Sequence, residues 1–280
     1  MSLRALLLMV FAFTWAPFVL GRAPVTAPPT FDHEPWTALL SKHVTWVPRG
    51  AAANGVGTVV DYAGFRRDRA ALQRYTDALA RVPQSTFARW SKRERHAFLI
   101  NAYNAYTVAL IADAPADLES IKDLGSLLQS PWKKAAFPLL GETRSLDDIE
   151  HGLLRGADDF DEPRIHFAVN CASIGCPALR PEAFTAAKLE TQLQDQTRRF
   201  LRDRSRNRWN ADDEVLEVSS IFDWYSGDFE KGFLGADSVE AFLVLYVADL
   251  GLDARVAKAL REGDVDLDYT DYDWRLNRAE

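Results

Sequence analysis

Residues 91–113 read SKRERHAFLINAYNAYTVALIAD, and this stretch decides the architecture. Ser91 followed three residues later by Glu94 is a capping box: the serine hydroxyl takes the N3 amide and the glutamate returns to the amide of the cap. The helix it opens is apolar on every side, so it belongs at the centre of a core. Within it only Asn101, Asn104 and Thr107 are polar, spaced by three, which gathers them into one seam. Buried amides must be hydrogen-bonded. The first reading of the seam is a structural network to neighbouring backbone; the alternative turns Asn101 or Asn104 toward a substrate.

Working outward, FRRDRAALQRYTDALARV (65–82) places Leu72, Tyr75, Leu79 and Val82 at helical spacing, a surface helix with one apolar stripe. A second capping box, Ser145 to Asp148, opens the short helix LDDIEHGLLR. At about 100° per residue Leu146, Ile149 and Leu153 share its inner face, Glu150 falls among them, and His151 lies on the flank. IHFAVN (165–170) alternates, predicting a strand with Ile165, Phe167 and Val169 on one face and His166, Ala168 and Asn170 on the other. ASIGCP (172–177) breaks it. Residues 188–202 read as an amphipathic helix with Leu189, Leu193 and Phe200 inward, 215–218 as a short strand, and Ser220–Asp223 as a third capping box. Residues 238–250 and 253–260 are further helices, and Val265, Leu267 and Tyr269 alternate as a last strand. No internal repeat appears. The fold class is α+β: one mostly helical domain with a small, mainly antiparallel sheet.

The composition, 48% hydrophobic and 26% charged, is that of a globular chain and excludes disorder. Thirty-three basic against 40 acidic residues give a net charge of −7, which argues against a nucleic-acid partner. MSLRALLLMVFAFTWAPFVLG (1–21) has the shape of a secretory signal, with cleavage expected before Arg22. The alternative is an uncleaved anchor, but Ala5–Leu20 would span about 24 Å as a helix against a roughly 30 Å bilayer core. Residues 22–30, with Pro24, Pro28 and Pro29, form a stiff linker, and the domain runs over 31–280. No second run of eighteen apolar residues comes after it, so no stable membrane insertion is expected after cleavage. The reading is a secreted or periplasmic protein, whose two cysteines meet an oxidising compartment.

Those cysteines, Cys171 and Cys176, are the one cluster of reactive side chains at close spacing. Three readings compete. A disulfide would close a small ring that Gly175 helps to turn, adding little chain entropy and so more labile than a main staple. A metal site of His166, Cys171 and Cys176 lacks a fourth ligand, and no motif implies a cofactor. A nucleophile at Cys171, straight off a strand end, needs a base. His166 lies five strand residues away, about 16 Å along the chain and on the opposite pleat face. His151, beside the inward Glu150, is therefore the first choice of base, with His166 second. FDWYSGDF and YDWRLN set Asp223, Asp228 and Asp273 among Trp224, Tyr225, Phe229 and Trp274; these read first as core anchored on the aspartates, alternatively as the wall of a pocket. His33, His43 and His96 have no partner at catalytic spacing.

Taken together, FLINAYNAY (98–106), SLDDIEHGLLR (145–155), IHFAVNCASIGCPALR (165–180), SSIFDWYSGDF (219–229) and YDWRLN (272–277) resemble, in order, the blocks of the domain-of-unknown-function family DUF547. The resemblance covers about residues 90 to 277. It implies a single domain, often behind a signal peptide in bacteria and elsewhere joined to modules that include glutaredoxin-like ones, which leans toward thiol chemistry. The family blocks map onto Asn101, Tyr103, Asn104, Glu150, His151, His166, Cys171, Cys176, Pro177, Asp223, Trp224, Tyr225, Asp273 and Trp274. Some relatives lack the second cysteine, which favours a single-thiol role. Ala172 and Ser173 stand where many relatives have a glycine, so the turn after Cys171 departs from the family pattern.

The function expected from these residues is cysteine-dependent acyl transfer or hydrolysis on an unassigned small-molecule, peptide or thiol substrate. Cys171 is the nucleophile, His151 or His166 the base, Glu150 its orienter, and Asn101 or Asn104 an oxyanion donor; Tyr103, Asp223, Trp224, Tyr225 and Trp274 are candidate binding residues. Rival readings are a thiol–disulfide or thiol-ligand protein using Cys171 and Cys176, and a non-catalytic binding module with an aromatic pocket.

Overall fold

The helix Lys92–Asp113 opens on the capping box read from the sequence: Ser91 Oγ accepts the Glu94 amide at 3.3 Å, and Glu94 accepts the Ser91 amide at 2.8 Å. The computed structural model describes residues 30–49, 52–126, 128–134, 136–156 and 161–279. The signal segment 1–21 lies outside the described residues, as does the linker up to residue 29. Phe98, Leu99, Ile100 and Tyr103 are buried around the full turn of the helix, which makes it the axis of the first hydrophobic core. Burying each such side chain contributes about 2 kcal/mol. Helices Tyr62–Arg67 and Arg69–Ala80 pack on it, and Glu34–His43 packs on those two. The single helix expected over 65–82 is thus two. Asp68 sits at the junction, where its carboxylate accepts from Lys42 Nζ at 2.6 Å and pairs with His43 Nε2 at 2.7 Å. Leu72, Tyr75, Leu79 and Val82 still form the buried stripe that their spacing predicts.

Among the described residues the β structure is three small sheets rather than one. Val44–Arg49 pairs with Ala52–Val60, and Phe137–Leu139 with Glu142–Arg144, both antiparallel. In the third sheet Val215–Ser219 has Arg208–Asn210 antiparallel on one side and Asp266–Thr270 parallel on the other. A mostly helical α+β fold with small sheets is what the sequence pattern implies. A second core lies against the third sheet, built from Phe200, Phe222, Phe229 and Phe242.

The segment joining the two cores departs from expectation. Residues 165–170 are no strand: Pro163–Phe167 is a 3₁₀ helix, and a turn succeeds it. Pro163 stands at its first position, where a missing N–H costs nothing, and the Glu162 carboxylate accepts the Arg164 amide at 3.2 Å. Residues 163–170 are all buried, so the apparent alternation never had a polar face to mark. Phe167 points into the second core while Ile165, Ala168 and Val169 belong to the first. Two smaller differences lie in the second half of the chain. The Ser220 hydroxyl donates to the Thr270 carbonyl at 2.5 Å instead of capping the helix Ile221–Trp224. The helix expected over 238–250 is interrupted between Val239–Val244 and Val247–Leu250.

Residues 272–279 cross the molecule as a strap. The Ile174 amide donates to Arg275 O and that of Gly175 to Asp273 O, each at 2.8 Å, while the Asn277 amide donates to Ala172 O at 3.1 Å. Leu276 donates to Glu119 O, and Val60 donates to Asn277 O. The strap therefore stitches the cysteine loop to both the first hairpin and the segment after the central helix.

Candidate active site

Ser145 Oγ accepts the Asp148 amide at 3.0 Å and so closes the second capping box, from which Asp148–Leu154 continues as a π-helix. The wider turn shifts the inner face by one position at its end, burying Leu154 where Leu153 was expected and leaving Leu153 partly buried. Ile149 and Leu154 go into the core, Glu150 is 7% exposed, and His151 lies on the flank. Glu150 and His151 line a pocket of about 240 Å³ at the seam between the two cores. The 3₁₀ turn brings His166 to the same pocket, and the loop after it brings Cys171 and Cys176. All four residues expected to carry chemistry, Cys171, His151, Glu150 and His166, thus share one cavity. Tyr103, Trp224, Tyr225 and Trp274 also line it.

The two sulfurs are joined, 2.04 Å apart, so the disulfide is formed. Neither thiolate is then free to ligate a metal. The Cys171 amide donates to Cys176 Sγ at 2.8 Å. Cys171 Sγ is 3.2 Å from both Ser173 Oγ and Tyr272 Oη. The loop is held from outside the bond as well. The Arg206 guanidinium donates to the carbonyls of Ile174, Gly175 and Cys176 at 3.0, 2.5 and 3.2 Å, and pairs with buried Asp203. Asn170 Oδ1 accepts the Ala172 amide at 3.0 Å, and Asn170 Nδ2 donates to Pro177 O at 2.7 Å. Ala172 itself is buried at φ +64°, the left-handed region where glycine is at ease.

His166 is buried against Tyr225, ring centroids 4.0 Å apart, with Nε2 2.7 Å from Asp228 Oδ2. Burial would raise the Asp228 carboxyl, but hydrogen bonds from His166 and from Arg155, 2.5 Å away, hold it well below the usual carboxylate range. An ionised carboxylate only accepts, so the His166 proton sits on Nε2 and Nδ1 carries the lone pair. Burial lowers the His166 pKa against the pull of Asp228, which keeps the ring neutral. His151 is tied differently. Arg155 donates to its Nδ1 at 2.5 Å, so its proton sits on Nε2, 3.7 Å from Asp147. Glu150 Oε1 accepts from Tyr225 Oη at 2.9 Å, and burial together with Glu150 raises the hydroxyl pKa of both Tyr103 and Tyr225. The arginine partner that a structural glutamate would call for is not what it has.

The remaining candidates sit elsewhere. Asn101 Nδ2 donates to Phe184 O at 2.7 Å and its Oδ1 accepts the Phe184 amide. Asn104 Nδ2 donates to Ala168 O at 2.9 Å, and Asn104 Oδ1 accepts the Asn170 amide. Both side-chain amides tie backbone to the central helix as a structural network, and neither lines the pocket as an oxyanion donor would. Asp223 is exposed and outside it. The aromatic residues form a wall rather than plain core: Trp224, 45% exposed, stacks on Trp274 at 5.8 Å, with Tyr272 4.8 Å from one and 4.5 Å from the other.

Sequence reasoning misses Asp228 as the partner of His166, Arg155 as the partner of His151, and Tyr272. Arg155 stands four residues after His151 on a helix, a spacing that signals contact. Asp228 and Tyr272 lie in the two aromatic blocks, but only the tertiary fold shows which side chain each one meets.

Residues 87–201 match the family described as "Protein of unknown function, DUF547". This stretch belongs to the DUF547 family. No curated protein and no solved structure matches the chain. The DUF547 match holds Tyr103, Glu150, His151, His166 and both cysteines, whereas Trp224, Tyr225, Asp228, Tyr272 and Trp274 come from the chain beyond it. The pocket is closed only by the two together.

Proposed function

We propose that the pocket is the active site of a cysteine-dependent acyl transferase or hydrolase, secreted through the signal at 1–21 and working in its reduced form. The observation that carries this reading is the buried His166–Asp228 pair, which opens on the same cavity as Cys171. Reduction of the Cys171–Cys176 bond by an external dithiol, itself oxidised to a disulfide, frees both thiols. His166 Nδ1 takes the Cys171 proton while Asp228 steadies the imidazolium through Nε2. The thiolate adds to a carbonyl carbon, the leaving group departs with the proton from His166, and water or an acceptor releases the acyl group from the thioester. The geometry thus favours His166 over His151 as base, because Nδ1 of His151 already accepts from a permanent cation.

A second reading, thiol–disulfide exchange, has its own support in the disulfide on the pocket wall. An incoming thiolate attacking Cys171 would expel Cys176 as a thiolate, onto which the Cys171 amide already donates.

The test is alkylation of the reduced protein with iodoacetamide across pH, read by mass spectrometry at Cys171. The expected result is labelling that tracks an inflection below the ordinary thiol value of about 8.5, moved upward in His166→Gln. Labelling at the ordinary thiol inflection and unchanged in His166→Gln would sink the acyl-transfer reading. Turnover of dithiols by the wild type at catalytic rates would select the exchange reading.

A further inference from the structure

Glu150 lacks a counter-ion. It is buried and faces the pocket, its partners are the hydroxyls of Tyr225 and Tyr103, and among the described residues no lysine or arginine pairs with it. A buried carboxylate without a positive partner is costly, by several kcal/mol even after relaxation. The cations of the neighbourhood are engaged elsewhere. Arg155 and Lys231 are on Asp228, 2.5 and 3.1 Å away, and Lys122 Nζ lies over the Trp274 ring at 4.8 Å. Of the two histidines that line the pocket with Glu150, His166 is kept neutral by burial, and His151 Nδ1 accepts from Arg155.

The pocket lining repeats the pattern. Among the described residues it holds, besides Glu150, one more carboxylate, Asp147, and no lysine or arginine, while Trp132 and Trp224 supply broad apolar surface. Such a cavity disfavours anions, and a neutral ligand brings no charge to balance the carboxylate. We infer that the pocket takes a substrate bearing an ammonium or substituted ammonium group, its charge set against Glu150 and its carbon body against Trp132 and Trp224. This names the substrate class of the proposed active site and rests on that reading for its catalytic meaning, though the binding itself does not require a free thiol. The ligand's charge is the counter-ion that the fold leaves out, so binding relieves a cost that the buried carboxylate already imposes.

The experiment compares choline with 3,3-dimethylbutan-1-ol, its uncharged isostere, on the full oxidised chain by calorimetry and tryptophan fluorescence. Choline is expected to bind at least about tenfold more tightly, less so as salt rises, with the difference lost in Glu150→Gln. Equal affinities, tighter binding of the alcohol, or no binding of either overturns the inference. So does a preference for choline that survives in folded Glu150→Gln. Should that variant not fold, carbodiimide labelling of wild-type Glu150 replaces it: choline must protect and the alcohol must not, and equal protection overturns the inference. Alkylation of reduced Cys171 is measured separately. Normal alkylation with no cation preference removes only the substrate class, and the reverse result removes only the thiol chemistry.

Discussion

His33 and Ala172 show how single residues carry costs that the chain accepts. His33 is buried, with Nδ1 2.8 Å from Tyr75 Oη, and burial lowers its pKa to about 4. The unfolded chain binds that proton near pH 6.5, so the unfolded state gains protons first as pH falls, and stability is lost between pH 6.5 and 4. Urea unfolding at pH 7.5 and pH 5 should differ by about 2 kcal/mol from this group, a difference that His33→Gln should remove. Asp228 works in another window: its depressed carboxyl lends stability above its unfolded value near 3.8, lost as pH falls further. Ala172→Gly relieves a left-handed backbone worth about 1–2 kcal/mol but loosens the unfolded chain by about 0.4–1 kcal/mol, so a net gain near 0.5 kcal/mol is expected. Ala172→Val, β-branched and buried, should instead lose about 2 kcal/mol or more in the same urea experiment. The departure from glycine at this position was legible in the sequence. Its left-handed backbone was not, since φ is set by the hydrogen bonds that Asn170 and the strap impose.

At the scale of elements, the cysteine loop is over-determined. Arg206 holds three of its carbonyls, the strap takes two of its amides, and Asn170 fixes its start. The chain-entropy term of so small a ring is about 2 kcal/mol, and the paired change Cys171→Ser with Cys176→Ser should lose no more than that in denaturant unfolding. Arg206→Ala should lose more, about 3–5 kcal/mol, because it strips the charged donors and strands buried Asp203. A disulfide variant less stable than Arg206→Ala would mean that the bond, and not the surrounding grip, holds the loop. Elements whose cause is local were legible in the chain itself: the two serine capping boxes at Ser91 and Ser145 and the apolar girth of the central helix arise from neighbours in sequence. The 3₁₀ turn at 163–167 was not, because full burial on both sides erases the difference between a strand's alternation and chance. Reading a strand there places His166 too far from Cys171, and with it the choice of base changes.

Across the whole molecule, the pocket exists because two cores meet, the first running from Trp36 to Leu193 with Leu276 and the second joining Phe167, Phe200 and Leu201 of the DUF547 match to the chain after it. Four chemistry-bearing residues stand out in the sequence by type and spacing, yet their convergence depends on contacts across 62 residues for His166 and Asp228 and 75 for Glu150 and Tyr225. No periodicity encodes such distances. The strap is what fastens the halves, and Asn277 is its buried anchor, accepting from Tyr62 Oη at 2.7 Å and donating to Asn170 Oδ1 at 3.4 Å. Asn277→Ala should lose about 2 kcal/mol by leaving the tyrosine hydroxyl without an acceptor, and circular dichroism with urea would measure it. The strap also sets an order in time. Cys171 and Tyr272 stand 101 residues apart, so at roughly 5–20 residues per second the sulfurs leave the ribosome several seconds ahead of the hydroxyl that will rest on Cys171. The chain's most reactive atoms are made before their setting, and a stitch made later in synthesis is the one that turns a pair of cysteines into a site.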